Sequence, residues 1–156
     1  MALGPDDYRE GALRRLEDAW RLFDGQQWEG AVYLGGRAAQ GMLRSLIARE
    51  PGTLELGHSL REHLKRVRAC AVLSPVEDDD ALADAINELV ILWRNDLRFT
   101  GTRRFRRLLT QAGRIKRLRG RAIVGEPEKP NARAVLDAAQ TVVTKGELAW
   151  RRLKKK

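Results

Sequence analysis

The 156-residue chain is 43% hydrophobic and 33% charged, with five prolines and one cysteine, a balance that fits one globular domain and excludes a disordered or disulfide-framed protein. Leu89 to Trp93 is its longest run of large apolar residues, far below the ~20 that span a bilayer, and the N-terminus runs into Pro5-Asp6-Asp7 rather than an apolar leader. The expectation is a cytoplasmic protein without membrane contact. The net charge of +9 is concentrated: residues 94–121 hold eleven Arg or Lys and a single acid, Asp96, so the rest of the chain is close to neutral. A block of one sign points to a polyanionic partner, because solubility needs dispersed charge.

In chain order, Ala12, Leu13, Leu16, Ala19, Trp20 and Phe23 recur at spacings of three and four and predict a helix from Asp7 to about Phe23, stopped by Gly25. A second helix runs from Trp28 to about Arg49 and is broken by Pro51-Gly52. It carries Gly30, Gly35, Gly36 and Gly41, each costing about 1 kcal/mol relative to Ala, so close approach of a neighbouring helix is expected to compensate. Ser59-Leu60-Arg61-Glu62 is a capping box that opens a third helix, which Pro75 stops. Asp78-Asp79-Asp80 opens a fourth, with the stripe Leu82, Ile86, Leu89, Val90, Trp93 and Leu97. A basic fifth helix runs from Thr102 to about Leu118. A flexible linker at 120–130, holding Gly125, Pro127 and Pro130, precedes a last helix from Asn131 to Leu153. No strand pattern competes, and the expected fold is a single all-α domain, an up-and-down bundle of five to six helices with short connections.

For chemistry, the glycines of the second helix lack the strand-loop-helix setting of a dinucleotide or Walker site. Glu55-Leu56-Gly57-His58 has the Glu-x-x-His spacing of di-iron bundles but stands alone, and two histidines without a cysteine cluster do not make a zinc site, so no metal and no cofactor is expected. His58 reads as a packed or capping side chain, His63 as solvated, and Cys70 as a small core or boundary residue. The basic segment has two readings. Its arginines either form a solvated face whose stems cover the bundle, or neutralise phosphates, with Phe99 and Phe105 available to stack on unpaired bases. The phosphate reading assigns Arg98, Arg103, Arg104, Arg106, Arg107, Arg114, Lys116, Arg117, Arg119 and Arg121 to RNA. Arg94-Asn95-Asp96, at the end of the fourth helix, reads either as an ion-paired helix end or as a site.

The stretch Trp28 to Leu46, WEGAVYLGGRAAQGMLRSL, resembles the second-helix signature of the HEPN superfamily (higher eukaryotes and prokaryotes nucleotide-binding domains). Gly57-His58-Ser59-Leu60 is similar to the Gly-His-x-Leu turn that follows it, and the fourth helix ends where these domains place an Arg-x4-6-His motif. The resemblance implies a helical bundle that pairs as a homodimer in toxin-antitoxin, phage-defence or RNA-processing systems, whose active members are metal-independent ribonucleases. Arg94 matches the motif arginine and Asn95 the polar residue after it, whereas Phe99 stands where the histidine is expected. Arg94 can stabilise charge on a phosphorane, and phenylalanine cannot move a proton; beside Arg94 and Asn95, Asp96 could serve as base if burial raised its proton affinity, and His58 if a dimer brought it to the site. The function expected is thus an RNA-binding, ribonuclease-like protein; the alternative is a catalytically inactive module that holds a protein partner.

Overall fold

Side-chain size along the second predicted helix sets the packing of its neighbours. A computed structural model describes residues 2–49, 57–69, 80–115, 117–118, 121–122 and 127–154 of the protein. That segment is α2 (Trp28–Ile47), with α1 (Pro5–Asp24), α3 (Leu60–Ala69), α4 (Asp80–Leu92), α5 (Thr102–Gln111) and α6 (Glu128–Lys154) around it. α2 packs most extensively on α1 and α6 and also meets α3 and α5, while α4 lies along α6. The fold is an all-α bundle. A two-residue antiparallel ladder, β1 (Arg117–Leu118) with β2 (Arg121–Ala122), is the only strand pairing among the described residues.

The core is continuous through Val32, Met42, Leu43, Leu89, Leu92 and Leu136, all at most 1% exposed, each contributing about 1.5–3 kcal/mol relative to an exposed side chain. Two polar links fix α6 against this core. Arg9 of α1 grips Glu147 through Nε and Nη2, at 2.5 and 2.8 Å, and the Trp150 Nε1–H donates to Ser45 Oγ of α2 at 2.9 Å. On the opposite side Trp93 lies against α2 where Gly36 offers no side chain, and its Nε1–H donates to Tyr33 O at 3.1 Å.

Several predicted boundaries shift, each for a local reason. α1 keeps its expected stop, ending at Asp24 with Gly25 as its C-cap, and Gln26 follows in the left-handed region at φ 61°. α4 ends at Leu92; Arg94 is extended and Asn95–Phe99 forms a 3-10 turn, so Leu97 is buried from that turn and does not continue the α4 stripe. The basic fifth helix stops at Gln111 because Gly113 turns left-handed at φ 68° and the Arg114 amide returns to Leu109 O at 2.8 Å, a glycine C-terminal motif. Segment 94–121 is therefore an extended residue, a 3-10 turn, a short helix and a ladder rather than one continuous helix. The last helix begins earlier than Asn131, absorbing Glu128, Lys129 and Pro130 of the expected linker; proline is tolerated there because a first-turn N–H needs no helical partner. The Pro51-Gly52 break, Glu55, Cys70, Pro75 and Asp78-Asp79 lie outside the described residues. No helix among the described residues is long and apolar enough to cross a membrane.

Candidate functional site

Arg37, Gln40 and Arg44 recur at intervals of three and four, which places a polar stripe on one face of a helix otherwise made of small and apolar residues. The stripe faces the turn Gly57–Ser59. Gly57 is left-handed at φ 58°, a conformation that costs glycine little, and its carbonyl receives both Gln40 Nε2 at 3.4 Å and Arg44 Nη2. The turn is thereby tied to α2, and His58 comes to rest beside Arg37 and Gln40.

Ser59 then caps α3. Its Oγ accepts the Glu62 amide at 3.3 Å, and its carbonyl accepts the His63 amide at 3.1 Å and His63 Nδ1–H at 2.5 Å. The other ring nitrogen of His63 accepts Arg44 Nε–H at 3.0 Å. His63, expected in solvent, is instead fully buried, because both its nitrogens are satisfied. Its pKa is lowered, chiefly by burial and further by Arg44 and His58, against an opposing pull from the Ser59 carbonyl.

His58 opens into a cleft of about 240 Å³ that it lines with Ser59, Leu60 and Arg61 from the start of α3 and Val90, Trp93, Arg94 and Asn95 from the end of α4. Its pKa is lowered, by desolvation of the edge against α2 and then by the charges of Arg37, Arg44 and Arg98. Arg94 Nη1 donates to Val90 O and Trp93 O, both at 3.1 Å, so the guanidinium is braced on the last carbonyls of α4. Asn95 is half-buried, and its Oδ1 is enclosed without a partner among the described residues.

The other expected site residues divide. Asp96 does not line the cleft; it is exposed and faces Arg104 Nη2 at 3.5 Å, which removes it from the position a proton acceptor beside Arg94 would need. Arg106 pairs with the buried Glu128 at 2.6 Å and Arg114 with Glu88 at 2.8 Å. Three arginines of the basic segment are thus held by carboxylates of their own chain. Arg103 and Arg107 are exposed on α5, outside every ion pair among the described residues. Arg98 lies over the Phe99 ring at 4.4 Å, beside a groove of about 310 Å³ that includes Glu29, Tyr33 and Thr100. Phe99 is 77% exposed and Phe105 is core. Arg117 and Arg121 belong to the ladder, and Lys116 and Arg119 lie outside the described residues.

A larger depression of about 750 Å³ on the outer face of α1 mixes Asp7, Glu10, Arg14, Arg15 and Glu17 around Leu13 and Trp20. It gathers neither a histidine nor charge of one sign, so the smaller cleft is the better candidate. The HEPN domain model matches residues 6–147. The chain belongs to the HEPN family. No curated protein and no solved structure gives a significant match.

In this HEPN domain Arg94 and Asn95 lie just beyond the end of α4, while the position after the four-residue spacer that follows the arginine carries an outward-facing phenylalanine, Phe99. Sequence reasoning did not point to Arg61, Arg37 or Arg44 and brought in His58 only through a dimer, whereas His58 and Arg61 line the candidate cleft within one chain and Arg37 and Arg44 lie behind it. The polar stripe on α2 was a usable signal for the last two. His58 needed the fold, since the cleft joins segments more than thirty residues apart.

Proposed function

We propose that this HEPN domain binds single-stranded RNA, as the RNA-targeting component of a bacterial defence, toxin-antitoxin or RNA-processing system, and that it does so as a homodimer. The observation that carries the reading is the cleft in which Arg94, Arg61 and His58 converge with Arg37, Arg44 and Arg98 behind and beside it. No carboxylate is among the described residues that line it, and Asp96 faces Arg104 instead, so the potential favours an anion. Arg94, braced by two carbonyls, presents its remaining N–H groups in a fixed fork that suits a phosphate oxygen pair. Phe99, exposed and next to Arg98, supplies a face on which an unpaired base can stack.

Binding is measured by fluorescence anisotropy of a labelled single-stranded RNA across a salt series. Wild-type binding that weakens with salt, with about tenfold loss in Arg94→Ala, is the expected result. Unchanged affinity in Arg94→Ala rejects this cleft. The capture of Arg104, Arg106 and Arg114 by carboxylates favours a second reading, a non-catalytic module docking a protein through Phe99 and its surroundings. Salt-insensitive capture of an acidic protein, with no affinity for RNA, would support that alternative.

A further inference from the structure

Proton bookkeeping around His58 decides what its imidazole can do. Arg37 Nη1 carries only protons to give. One goes to Gln40 Oε1 at 2.7 Å, which fixes the amide with its oxygen toward Arg37 and its nitrogen toward the turn. From there Gln40 Nε2 donates to Gly57 O and faces His58 Nδ1 at 3.2 Å, and Arg37 Nη1 faces the same Nδ1 at 3.3 Å. The third neighbour of Nδ1, Gln40 Oε1 at 3.4 Å, is the most distant and already accepts from Arg37. Two donors aimed at one ring nitrogen require a lone pair there. A neutral imidazole has one proton, so it sits on Nε2, and adding a second at Nδ1 would set three N–H groups against one another.

His63 has the reverse arrangement. Its Nδ1–H is given to Ser59 O and its Nε2 lone pair is taken by Arg44 Nε–H. The two histidines are therefore opposite tautomers locked by adjacent arginines of the same helix stripe. For His63 both nitrogens are used internally. For His58 no described residue partners Nε2, and the ring lines the cleft beside Arg61 and Arg94.

We infer that His58 is a neutral hydrogen-bond donor that presents Nε2–H to a non-bridging phosphate oxygen in the cleft beside Arg94, and that it does not act as a proton acceptor there. This rests on the reading that the cleft receives an RNA phosphodiester. The single lone pair of the ring points at α2 and is occupied, so nothing on His58 can take a proton from a 2′-hydroxyl in the cleft. With Phe99 at the motif position and Asp96 held by Arg104, the site is built to grip the backbone without breaking it.

Two measurements on the full chain test this. Long-range proton–nitrogen correlation of the imidazoles near neutral pH should show His58 protonated at Nε2 and His63 at Nδ1; a protonated Nδ1 on His58 overturns the inference. Anisotropy with a single-stranded RNA oligomer should then show about tenfold weaker binding for His58→Ala, and recovery to within about threefold of wild type for His58→Gln, whose amide offers a donor. Circular dichroism confirms that both variants fold. Affinity lost in Arg94→Ala but unchanged in His58→Ala overturns the role of His58 and leaves RNA binding standing. A wild-type protein without affinity for RNA overturns both. RNA cut by wild type in EDTA, and no longer cut by either His58 variant, would identify a proton acceptor and also overturn it.

Discussion

The indole of Trp93 occupies the space that a side chain at position 36 would need. Because Trp93 immediately precedes Arg94, this contact ties the floor of the cleft to the backbone of α2. Gly36→Ala is expected to gain a few tenths to ~1 kcal/mol of helix propensity and to lose more by displacing the indole, for a net destabilisation of about 1–3 kcal/mol. Urea denaturation monitored by tryptophan fluorescence reads this directly. A variant as stable as wild type would show that the indole repacks freely.

The arginines of α5 should separate into two classes. Arg103→Ala and Arg107→Ala remove exposed charges and, where the side chain meets a phosphate, should lower the slope of log affinity against log salt by about 0.7 each, without changing stability. Arg106→Ala should do the opposite, leaving the buried Glu128 carboxylate without its partner at a cost of about 1–3 kcal/mol, with little change in the salt slope. Melting curves and salt titrations of the three variants distinguish the classes.

Phe99 is free to be changed without disturbing the core. Phe99→Ala should weaken binding to single-stranded RNA by about 1–3 kcal/mol if a base stacks on the ring, and Phe99→Trp should retain it. Duplex RNA, whose bases are already stacked, should not distinguish the three proteins. Equal loss on both RNAs would place Phe99 against the sugar-phosphate backbone rather than a base.

Acid should destabilise the fold through its histidines. Both His58 and His63 have pKa values below the ordinary 6.5, so between that pH and the lower folded values the unfolded chain binds more protons than the native one. Stability from these groups is complete above about pH 6.5 and falls as pH drops through that value toward the folded pKa values, with a slope of at most ~1.4 kcal/mol per pH unit from the buried His63 and a smaller, solvent-screened share from the exposed His58. The charges facing them, Arg37, Arg44 and Arg98 at His58 and Arg44 at His63, push in the same direction as burial. Urea melts at a series of pH values should show the decline, and His63→Gln should flatten it. A flat wild-type profile would contradict the burial and bonding assigned to His63.

Much of the helical layout was legible because burial enforces periodicity: the α1 stripe, apart from the exposed Leu13, and the glycine face of α2 both appear in the packing, with Gly35 approached by Leu136 and Ala139 of α6 and Gly41 by Ala12 of α1. The fifth helix is expected to run past its actual end because its apolar spacing continues to Ile115, while Gly113 supplies the turn that stops it. Arg94 and Asn95 could be placed from a motif. His58 could not be, since its role comes from two donors on α2 that meet it only after the chain has turned at Gly57. Which arginines are neutralised was equally hidden: Glu88 and Glu128 lie far from their partners in sequence and near them in space.

α2 supplies both the bare backbone under Trp93 and the amide that holds His58, so the two walls of the cleft are referenced to one rigid rod. Their separation cannot drift by loop motion alone. A ligand would meet a gap already cut to width, with little ordering left to be done at the moment of capture, and substitutions deep in the bundle that tilt this one rod would be felt at the surface as a mismatch in spacing rather than as a missing contact.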